Sequence, residues 1–139
     1  MASIHQEILI NATPDAVWDA ARDVGALHTR LVSGFVVDTQ LVAGADPVVR
    51  IVTFANGMVA KEVIVDSDDA RRRLVWTIES ERVAHHNGVL QIFDADDGRS
   101  RVVWTADVLP HALSESFGPM MGQGLEAMKR RLEAASAST

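Results

Sequence analysis

The sequence contains no cysteine, and no stretch of it stays apolar for long. Without cysteine there is no disulfide, no thiolate metal site and no cysteine nucleophile, which fits a reducing compartment. A membrane-spanning helix needs about 20 mostly apolar residues. The opening residues MASIHQ lack the basic and long apolar regions of an export signal. We therefore expect a cytoplasmic protein with no membrane span.

A surplus of basic residues is also missing. The 13 lysines and arginines stand against 19 aspartates and glutamates, which gives a formal net charge of −6. Nucleic-acid binding depends on basic side chains that displace counterions from phosphates, so this balance argues against a nucleic-acid partner. The chain has 139 residues, of which 47% are hydrophobic. This length and composition predict one globular domain with a substantial core.

The first helix is marked by the residues at its start. After the apolar strand 8–10, Thr13 can accept a hydrogen bond from the first free amides, and Pro14 suits the first helical position. Asp15 complements the helix dipole, so a helix is predicted from Pro14. A second short helical segment is predicted over 25–32. The apolar residues of the first helix recur at helical spacing, at Val17, Ala20, Ala21 and Val24.

Strands and turns are predicted to occupy the middle of the chain. Asn56-Gly57 is a dipeptide favoured in two-residue hairpins. Connections as short as these cannot hold crossover helices, so neighbouring strands should be antiparallel. With the first strand there are seven, and the other six lie at 35–42, 48–54, 58–66, 72–80, 85–94 and 101–109.

The last quarter of the chain is predicted to form a long amphipathic helix from Leu113 onward. Pro119 should bend or break this helix near its start, because proline lacks the backbone donor and crowds the preceding turn. We expect the sheet to curl around the helix and to leave a hollow between them, since methionines on the buried face fill irregular space. The apolar positions are Phe117, Met120, Met121, Gly124, Leu125, Met128 and Leu132.

Three segments carry a resemblance to a known superfamily: ILINATPDAVW at 8–18, RVVWTAD at 101–107 and GLEAMK at 124–129. With the order of elements, they resemble the START/Bet v 1-like (SRPBCC) superfamily in its polyketide cyclase/dehydrase-like branch. The resemblance implies an α+β helix-grip fold. In this fold a seven-stranded antiparallel sheet curls around a long C-terminal helix, with two short helices between strands 1 and 2. It further implies a cavity for a small apolar or amphipathic molecule. We expect a single START/Bet v 1-like domain over 1–135, and the small polar residues at 136–139 predict a frayed tail.

Two adjacent histidines are the first candidates for chemistry inside such a cavity. Neighbours on a strand point to opposite faces, so His85 and His86 cannot hold one metal ion unless the strand is bulged. We predict no metal and no cofactor. His86 shares its face with Leu90 and Ile92 and is the better candidate for a pocket acid or base, although Gly88 could mark a bulge that switches the face. A surface histidine or a hydrogen-bonded structural one is the alternative.

Three charged residues are further candidates. Lys61 and Glu62 alternate on one strand, so one of them should face the cavity, and periodicity does not decide which. An inward Glu62 could act as an acid or base. Arg50 lies among apolar residues and could reach a ligand carboxylate, or extend past the sheet edge. Solvated positions are the alternative for all three, because charged side chains are seldom buried.

A ligand-binding wall is predicted from aromatic and apolar residues. Trp76 and Trp104 alternate with apolar residues and should line the concave side of the sheet, with core packing as the alternative. His28 lies where helix-grip proteins open their pocket, with a plain surface position as the alternative, and Asn87 resembles an asparagine of related sequences. The predicted catalytic residues are His86 and Glu62. The predicted ligand-binding residues are His28, Arg50, Trp76, His86, Asn87, Trp104, Phe117, Met120 and Met121.

These residues support two main hypotheses. In the favoured one the protein binds a small hydrophobic or amphipathic ligand, held by apolar burial and oriented by a few polar groups. In the alternative it is a polyketide cyclase/dehydratase-like enzyme, in which His86 or Glu62 removes a proton next to a carbonyl. A third interpretation is an interaction module whose sheet edge contacts a partner, including a second copy of the chain as a homodimer. A titratable pocket side chain shielded from water and within about 3 Å of another polar group would favour the enzyme.

Overall fold

The computed structural model describes residues 2–137 of the chain. A 3₁₀ turn (Val24–Ala26) and a π-helical turn (Leu27–Leu31) lie between the first helix and the second strand. The α-helices are α1 (Pro14–Arg22) and α2 (Ser114–Ala137). The strands are β1 (Ala2–Ile10), β2 (Val36–Leu41), β3 (Val49–Phe54), β4 (Val59–Asp68), β5 (Arg73–Glu79), β6 (His85–Asp94) and β7 (Ser100–Leu109).

All seven strands belong to one antiparallel sheet, in the order β1-β7-β6-β5-β4-β3-β2. The sheet curls around α2, and the predicted helix-grip fold is confirmed. β1 is longer than the predicted strand, because it pairs with β7 along its whole length, from Ala2 opposite Val108 to Ile10 opposite Ser100. Within residues 2–137, neither α-helix has the length and apolarity that crossing a membrane requires.

Helix α1 begins as the sequence predicted. The backbone amide of Ala16 donates to the Thr13 hydroxyl at 3.2 Å, and Pro14 occupies the first turn. The capped helix buries its apolar face against the sheet, with Val17 and Trp18 at its centre. This packing leaves the π-helical turn that follows α1 beside the concave face of the sheet.

The turn between β3 and β4 differs from the prediction. The Phe54 amide donates to the Met58 carbonyl at 2.8 Å, so the turn has three residues, 55–57, and the expected two-residue turn is wrong. Gly57 takes the left-handed conformation, with φ of 89°, that such a turn requires at its last position. The three-residue turn fixes the register that places Arg50 directly opposite Glu62.

Gly88 does not produce a bulge. The pairing of β6 with β7 runs without a shift from end to end, and the bulges lie in β2 and β4 instead. A Cβ atom at Gly88 would lie 2.9 Å from Cε2 of Trp76 and 3.0 Å from Cε1 of His86. The glycine therefore provides room for these two rings on the concave face.

Helix α2 runs through Pro119 without a break, so the expectation of a break is wrong. The missing proline amide would have bonded the carbonyl of Glu115, and both residues are exposed, so solvent can satisfy that carbonyl. The helix continues through Ala137. Two residues of the predicted tail are therefore helical, and 138–139 lie outside the described residues.

The position of α2 on the sheet creates the site. Most of its contacts with strands are made to β1, at one edge of the sheet. Gly118 and Gly122 face this strand, where Cβ atoms would lie 3.9 Å from Ile4 and 4.0 Å from Gln6. The concave surface of β3 to β6 is less closely covered, and a space lies there between the sheet and α2.

Candidate functional site

An inner cavity of about 60 Å³ lies between the concave face of the sheet, the π-helical turn and α2. Its wall is mainly apolar, and Arg50, Glu62 and His86 are the titratable residues that line it. All three are buried, with residue exposures of 3 to 5%. The apolar and aromatic lining residues are Leu27, Leu31, Val32, Phe35, Val36, Phe54, Leu74, Trp76, Ile78, Leu90, Trp104, Met120, Met121 and Met128.

The polar residues of the inner cavity form one row across four strands. Arg50 of β3 pairs with Glu62 of β4, and Glu62 pairs with Ile78 of β5. The backbone amide of Ile78 donates in turn to the His86 side chain on β6. Because side chains alternate between the two faces of a strand, this register directs all three polar groups to the concave side.

Arg50 and Glu62 form a buried ion pair. The Arg50 Nε donates to Glu62 Oε1 at 2.8 Å, and Arg50 Nη1 donates to the carbonyl of Val24 at 3.3 Å. The guanidinium also lies 5.9 Å from the centroid of the Trp76 ring, within the range of a cation–π contact. Arg50 is therefore held on three sides, and its charge is balanced by that of Glu62.

The structure also decides between Glu62 and Lys61, which periodicity left open. Glu62 faces the inner cavity, and Lys61 points outward to Glu79, with 3.0 Å between Nζ and Oε2. The side chains of this second pair are 49% and 56% exposed. The inward carboxylate is thus the one that has an arginine opposite it.

His86 takes the place of a ladder hydrogen bond between β5 and β6. The paired ladder ends at Trp76 and Gly88, and beyond it the Ile78 amide donates to His86 Nδ1 at 3.2 Å. The hydroxyl of Thr77 donates to the His86 carbonyl. An Nδ1 atom that accepts a hydrogen bond carries no proton, so the neutral imidazole has its proton on Nε2.

The electrostatics of His86 agree with this assignment. Burial, with a smaller contribution from the nearby His85, lowers the pKa of His86 from 6.5 to about 4. A buried imidazole resists protonation because the charged form loses its hydration. At neutral pH His86 is therefore an uncharged group that donates from Nε2.

Two glycines allow two tryptophans to line the inner cavity. Gly88 leaves room for Trp76, and Gly124 on α2 leaves room for Trp104, whose Cζ3 would lie 2.8 Å from a Cβ atom there. The two rings contact each other, with centroids 5.8 Å apart. The Trp104 Nε1 is buried and has no hydrogen-bond partner among the described residues.

An outer groove of about 920 Å³ lies beside the inner cavity. It runs between the β3–β4 turn and the exposed side of α2, where Asn56 and Arg130 are among its polar lining residues. Phe35, Phe54 and Met120 line both spaces. These three side chains therefore separate the inner cavity from solvent in the groove.

Comparison with protein families identifies the kind of fold that carries this site. The model of the family described as polyketide cyclase/dehydrase and lipid transport matches residues 1–134. The chain belongs to this family. The resemblance to the SRPBCC superfamily is thereby confirmed. No curated protein matches the chain in sequence.

Solved structures similar to this member of the polyketide cyclase/dehydrase and lipid-transport family share its architecture. The protein XoxI from Bacillus cereus is 19% identical, with a TM-score of 0.83 over 95% of this chain and 96% of that one. A solution structure from Thermobifida fusca is 25% identical, with a TM-score of 0.74 over 95% and 93%. The di-domain ARO/CYC BexL from the BE-7585A biosynthetic pathway is 15% identical, with a TM-score of 0.80, and the match covers 96% of this chain and 47% of BexL. At identities this low, the similarity to XoxI and BexL shows a shared fold alone.

Most of the predicted site residues line the inner cavity of this family member, and three do not. Asn87 lies on the opposite face of β6 and pairs with Asp107. Phe117 packs behind the cavity wall, with its ring centroid 5.9 Å from that of His86. His28 is half-buried outside the lining, and its Nδ1 has no partner among the described residues. The predicted residues that do line the cavity are Arg50, Glu62, Trp76, His86, Trp104, Met120 and Met121.

Sequence reasoning missed the residues that close the inner cavity. Phe35 and Phe54 pack edge to face, with centroids 5.5 Å apart, between the cavity and the groove. Leu27 and Leu31 of the π-helical turn also line it. Phe54 is the last residue of β3 and Phe35 lies in the turn just before β2, where alternation gives a weak signal. In the range 2–137, no three His, Asp or Glu residues lie close enough to hold a metal ion.

Proposed function

We propose that the protein binds a small hydrophobic or amphipathic molecule in the inner cavity. The observation that carries this proposal is the row of three buried polar groups, Arg50, Glu62 and His86, in an otherwise apolar wall. Charged residues are rarely buried, and a buried ion pair contributes little net stability compared with apolar residues of similar volume. A binding site of a few fixed polar groups among apolar ones gives these residues a role.

The size of the inner cavity indicates how the ligand would enter. Ligand sites usually enclose about 300–1,000 Å³, and this cavity measures about 60 Å³. The lining must therefore move to admit a ligand. Met120 lies between the cavity and the outer groove, and its flexible side chain can change conformation at low cost. We expect ligands to enter from the outer groove past Met120.

Binding can be tested with the neutral fluorophore N-phenyl-1-naphthylamine. Leu90 faces the inner cavity, and its neighbour Val89 lies on the opposite face of β6. The larger side chain of Leu90→Phe fills part of the inner cavity, whereas that of Val89→Phe lies outside it. We expect Leu90→Phe to weaken binding by about tenfold, because the ligand loses apolar contact worth about 1.4 kcal/mol. Val89→Phe should bind the fluorophore as the wild type does.

Fluorescence titration of the three proteins measures the dissociation constants, and native mass spectrometry of freshly purified protein detects a molecule that co-purifies. Equal losses in the two variants would place the fluorophore outside the inner cavity. No binding to the wild type, together with no co-purified molecule, would refute the proposed function.

A cyclase/dehydratase-like activity is a second candidate. Oε1 of the buried Glu62 lies 2.8 Å from Arg50 Nε, so Glu62 meets the condition given above for an enzyme. Glu62 and His86 also lie on either side of Ile78. The protonated Nε2 of His86 suits it to polarise a carbonyl, and the base would then be Glu62. Exchange of the methyl protons of acetophenone in D₂O, followed by proton NMR, tests such a step. The enzyme hypothesis predicts exchange above the buffer rate and a loss of at least about tenfold in Glu62→Gln. Exchange at the buffer rate would contradict it.

A further inference from the structure

Apart from the Glu62 carboxylate, which accepts from Arg50, the hydrogen-bonding side chains that line the inner cavity offer donors. His86 Nδ1 is occupied by the Ile78 amide, so the ring can offer a ligand only its Nε2 proton. None of the described residues accepts from this Nε2. Trp104, whose indole nitrogen can only donate, also lacks an acceptor. A ligand that brings an acceptor oxygen would therefore satisfy groups that the protein leaves unpaired.

The charges of the inner cavity are already balanced. The charged lining residues are Arg50 and Glu62, 2.8 Å apart, and the Val24 carbonyl takes a further guanidinium proton. Lys61 points away from the cavity to Glu79. From the sequence, Arg50 could either reach a ligand carboxylate or extend past the sheet edge; in the structure its Nε donates to Glu62. A carboxylate ligand would find no unpaired positive charge here, and burying an uncompensated charge is costly.

We infer that the buried polar group of the ligand is an uncharged acceptor, a ketone or ester carbonyl that accepts from His86 Nε2, and that the inner cavity discriminates against carboxylates. This inference rests on the proposed function and narrows it. It separates neutral carbonyl compounds from free fatty acids and other carboxylic acids, which carry a similar apolar body but a charged end.

Three probes of similar size test the inference: acetophenone, ethylbenzene and benzoate. Isothermal titration calorimetry should give acetophenone an affinity about tenfold above that of ethylbenzene, because one hydrogen bond to a buried donor is gained. Benzoate should bind more weakly than acetophenone by at least about tenfold.

Two variants test whether the preference for acetophenone over ethylbenzene depends on the imidazole of His86. His86→Asn keeps an acceptor for the Ile78 amide and removes the donor at the Nε2 position, because the remaining amide N–H group lies at the level of the ring Cδ2, nearer the backbone. The ratio of acetophenone to ethylbenzene affinity should therefore fall toward one. His85→Asn alters the exposed neighbour on the opposite face and should keep the wild-type ratio. If His86→Asn does not fold, ¹⁵N NMR of wild-type His86 replaces it. Acetophenone should shift the Nε2 resonance and leave Nδ1 without a proton.

The outcomes separate this inference from the proposed function. If ethylbenzene binds but acetophenone binds no better, or if benzoate binds as tightly as acetophenone, the inference is overturned and the binding function stands. If none of the three probes binds a wild type that does bind N-phenyl-1-naphthylamine, the inference is overturned and the binding function stands. If the fluorophore does not bind either and no molecule co-purifies, both fail. An unchanged ratio in His86→Asn, or an Nε2 resonance that does not respond to acetophenone, also overturns the inference.

Discussion

Removing the charge of Glu62 should destabilise the protein far more than removing the charge of a carboxylate nearby. Glu62→Gln keeps the size of the side chain and an acceptor for Arg50 Nε, so it isolates the charge. The two side chains are 3% and 7% exposed, and the substitution would leave the guanidinium buried without a counter-charge. Breaking such a pair costs about 3–5 kcal/mol, most of it the cost of an uncompensated buried ion.

This cost corresponds to a large shift in melting temperature. Unfolding entropy is about 2.1 cal/mol/K per residue, and the chain has 139 residues. Each kcal/mol is then worth about 3 °C, so Glu62→Gln should lower the Tm by roughly 10–17 °C. Urea denaturation followed by circular dichroism gives the free energy of unfolding, and a thermal scan gives the Tm.

The matched control is the pair on the other face of β4. Lys61 and Glu79 are 3.0 Å apart with half-exposed side chains, and an exposed pair is worth at most about 1 kcal/mol. Glu79→Gln should therefore lower the Tm by no more than about 3 °C. Equal losses in Glu62→Gln and Glu79→Gln would refute the reasoning.

The double variant Arg50→Met/Glu62→Leu completes the design. Replacing both charges by apolar groups of similar volume removes the penalty, so its stability should lie within about 1 kcal/mol of the wild type or above it. A double variant as unstable as Glu62→Gln would show that the loss came from packing and not from the unpaired charge.

Two further predictions concern His86 and Gly124. Because the pKa of His86 is lowered to about 4, the unfolded chain binds a proton below about pH 6.5 that the folded chain does not. The wild type should lose up to about 3 kcal/mol of stability between pH 6.5 and 4 that His86→Asn does not lose, and parallel pH profiles in urea denaturation would contradict this. A Cβ at Gly124 would lie 2.8 Å from Cζ3 of Trp104 and one at Gly122 would lie 4.0 Å from Gln6. Gly124→Ala should therefore cost about 1–3 kcal/mol, whereas Gly122→Ala should gain up to about 1 kcal/mol from helix propensity, and equal effects in the same assay would be inconsistent with the packing described.

The fold could be predicted because its signals are local. The cap at Thr13 and Pro14 marks the start of α1, and the alternation along β6 places His86 with Leu90 and Ile92 on the buried face. These features depend on a few consecutive residues and on the period of the strand, both of which can be read from one sequence.

The partnership of Arg50 and Glu62 could not be predicted because it depends on the length of one turn. A two-residue turn at Asn56-Gly57 would place Arg50 opposite Val63, whereas the three-residue turn places it opposite Glu62. A one-residue change in register moves every cross-strand partner. Which of Lys61 and Glu62 faces the cavity therefore depends on the register between β3 and β4, which the alternation along one strand does not reveal.

The volume of the inner cavity could not be predicted from the sequence either. Trp76 and Trp104 were predicted to line the concave side, and the alternation that supports this is the same for a filled core and for a hollow one. The space left beside the two rings depends on the close approach of each ring to a glycine on another part of the chain, Gly88 for Trp76 and Gly124 for Trp104. Such contacts between distant residues have no local pattern.

The seating of α2 on one edge of the sheet suggests how the site could be resized. Gly118 and Gly122 let the helix backbone approach Ile4 and Gln6 of β1. Bulkier residues at those two helix positions would raise the helix from that edge and deepen the space over β3 to β6. Capacity for larger ligands would thus change through substitutions where α2 packs against β1, away from the wall of the inner cavity.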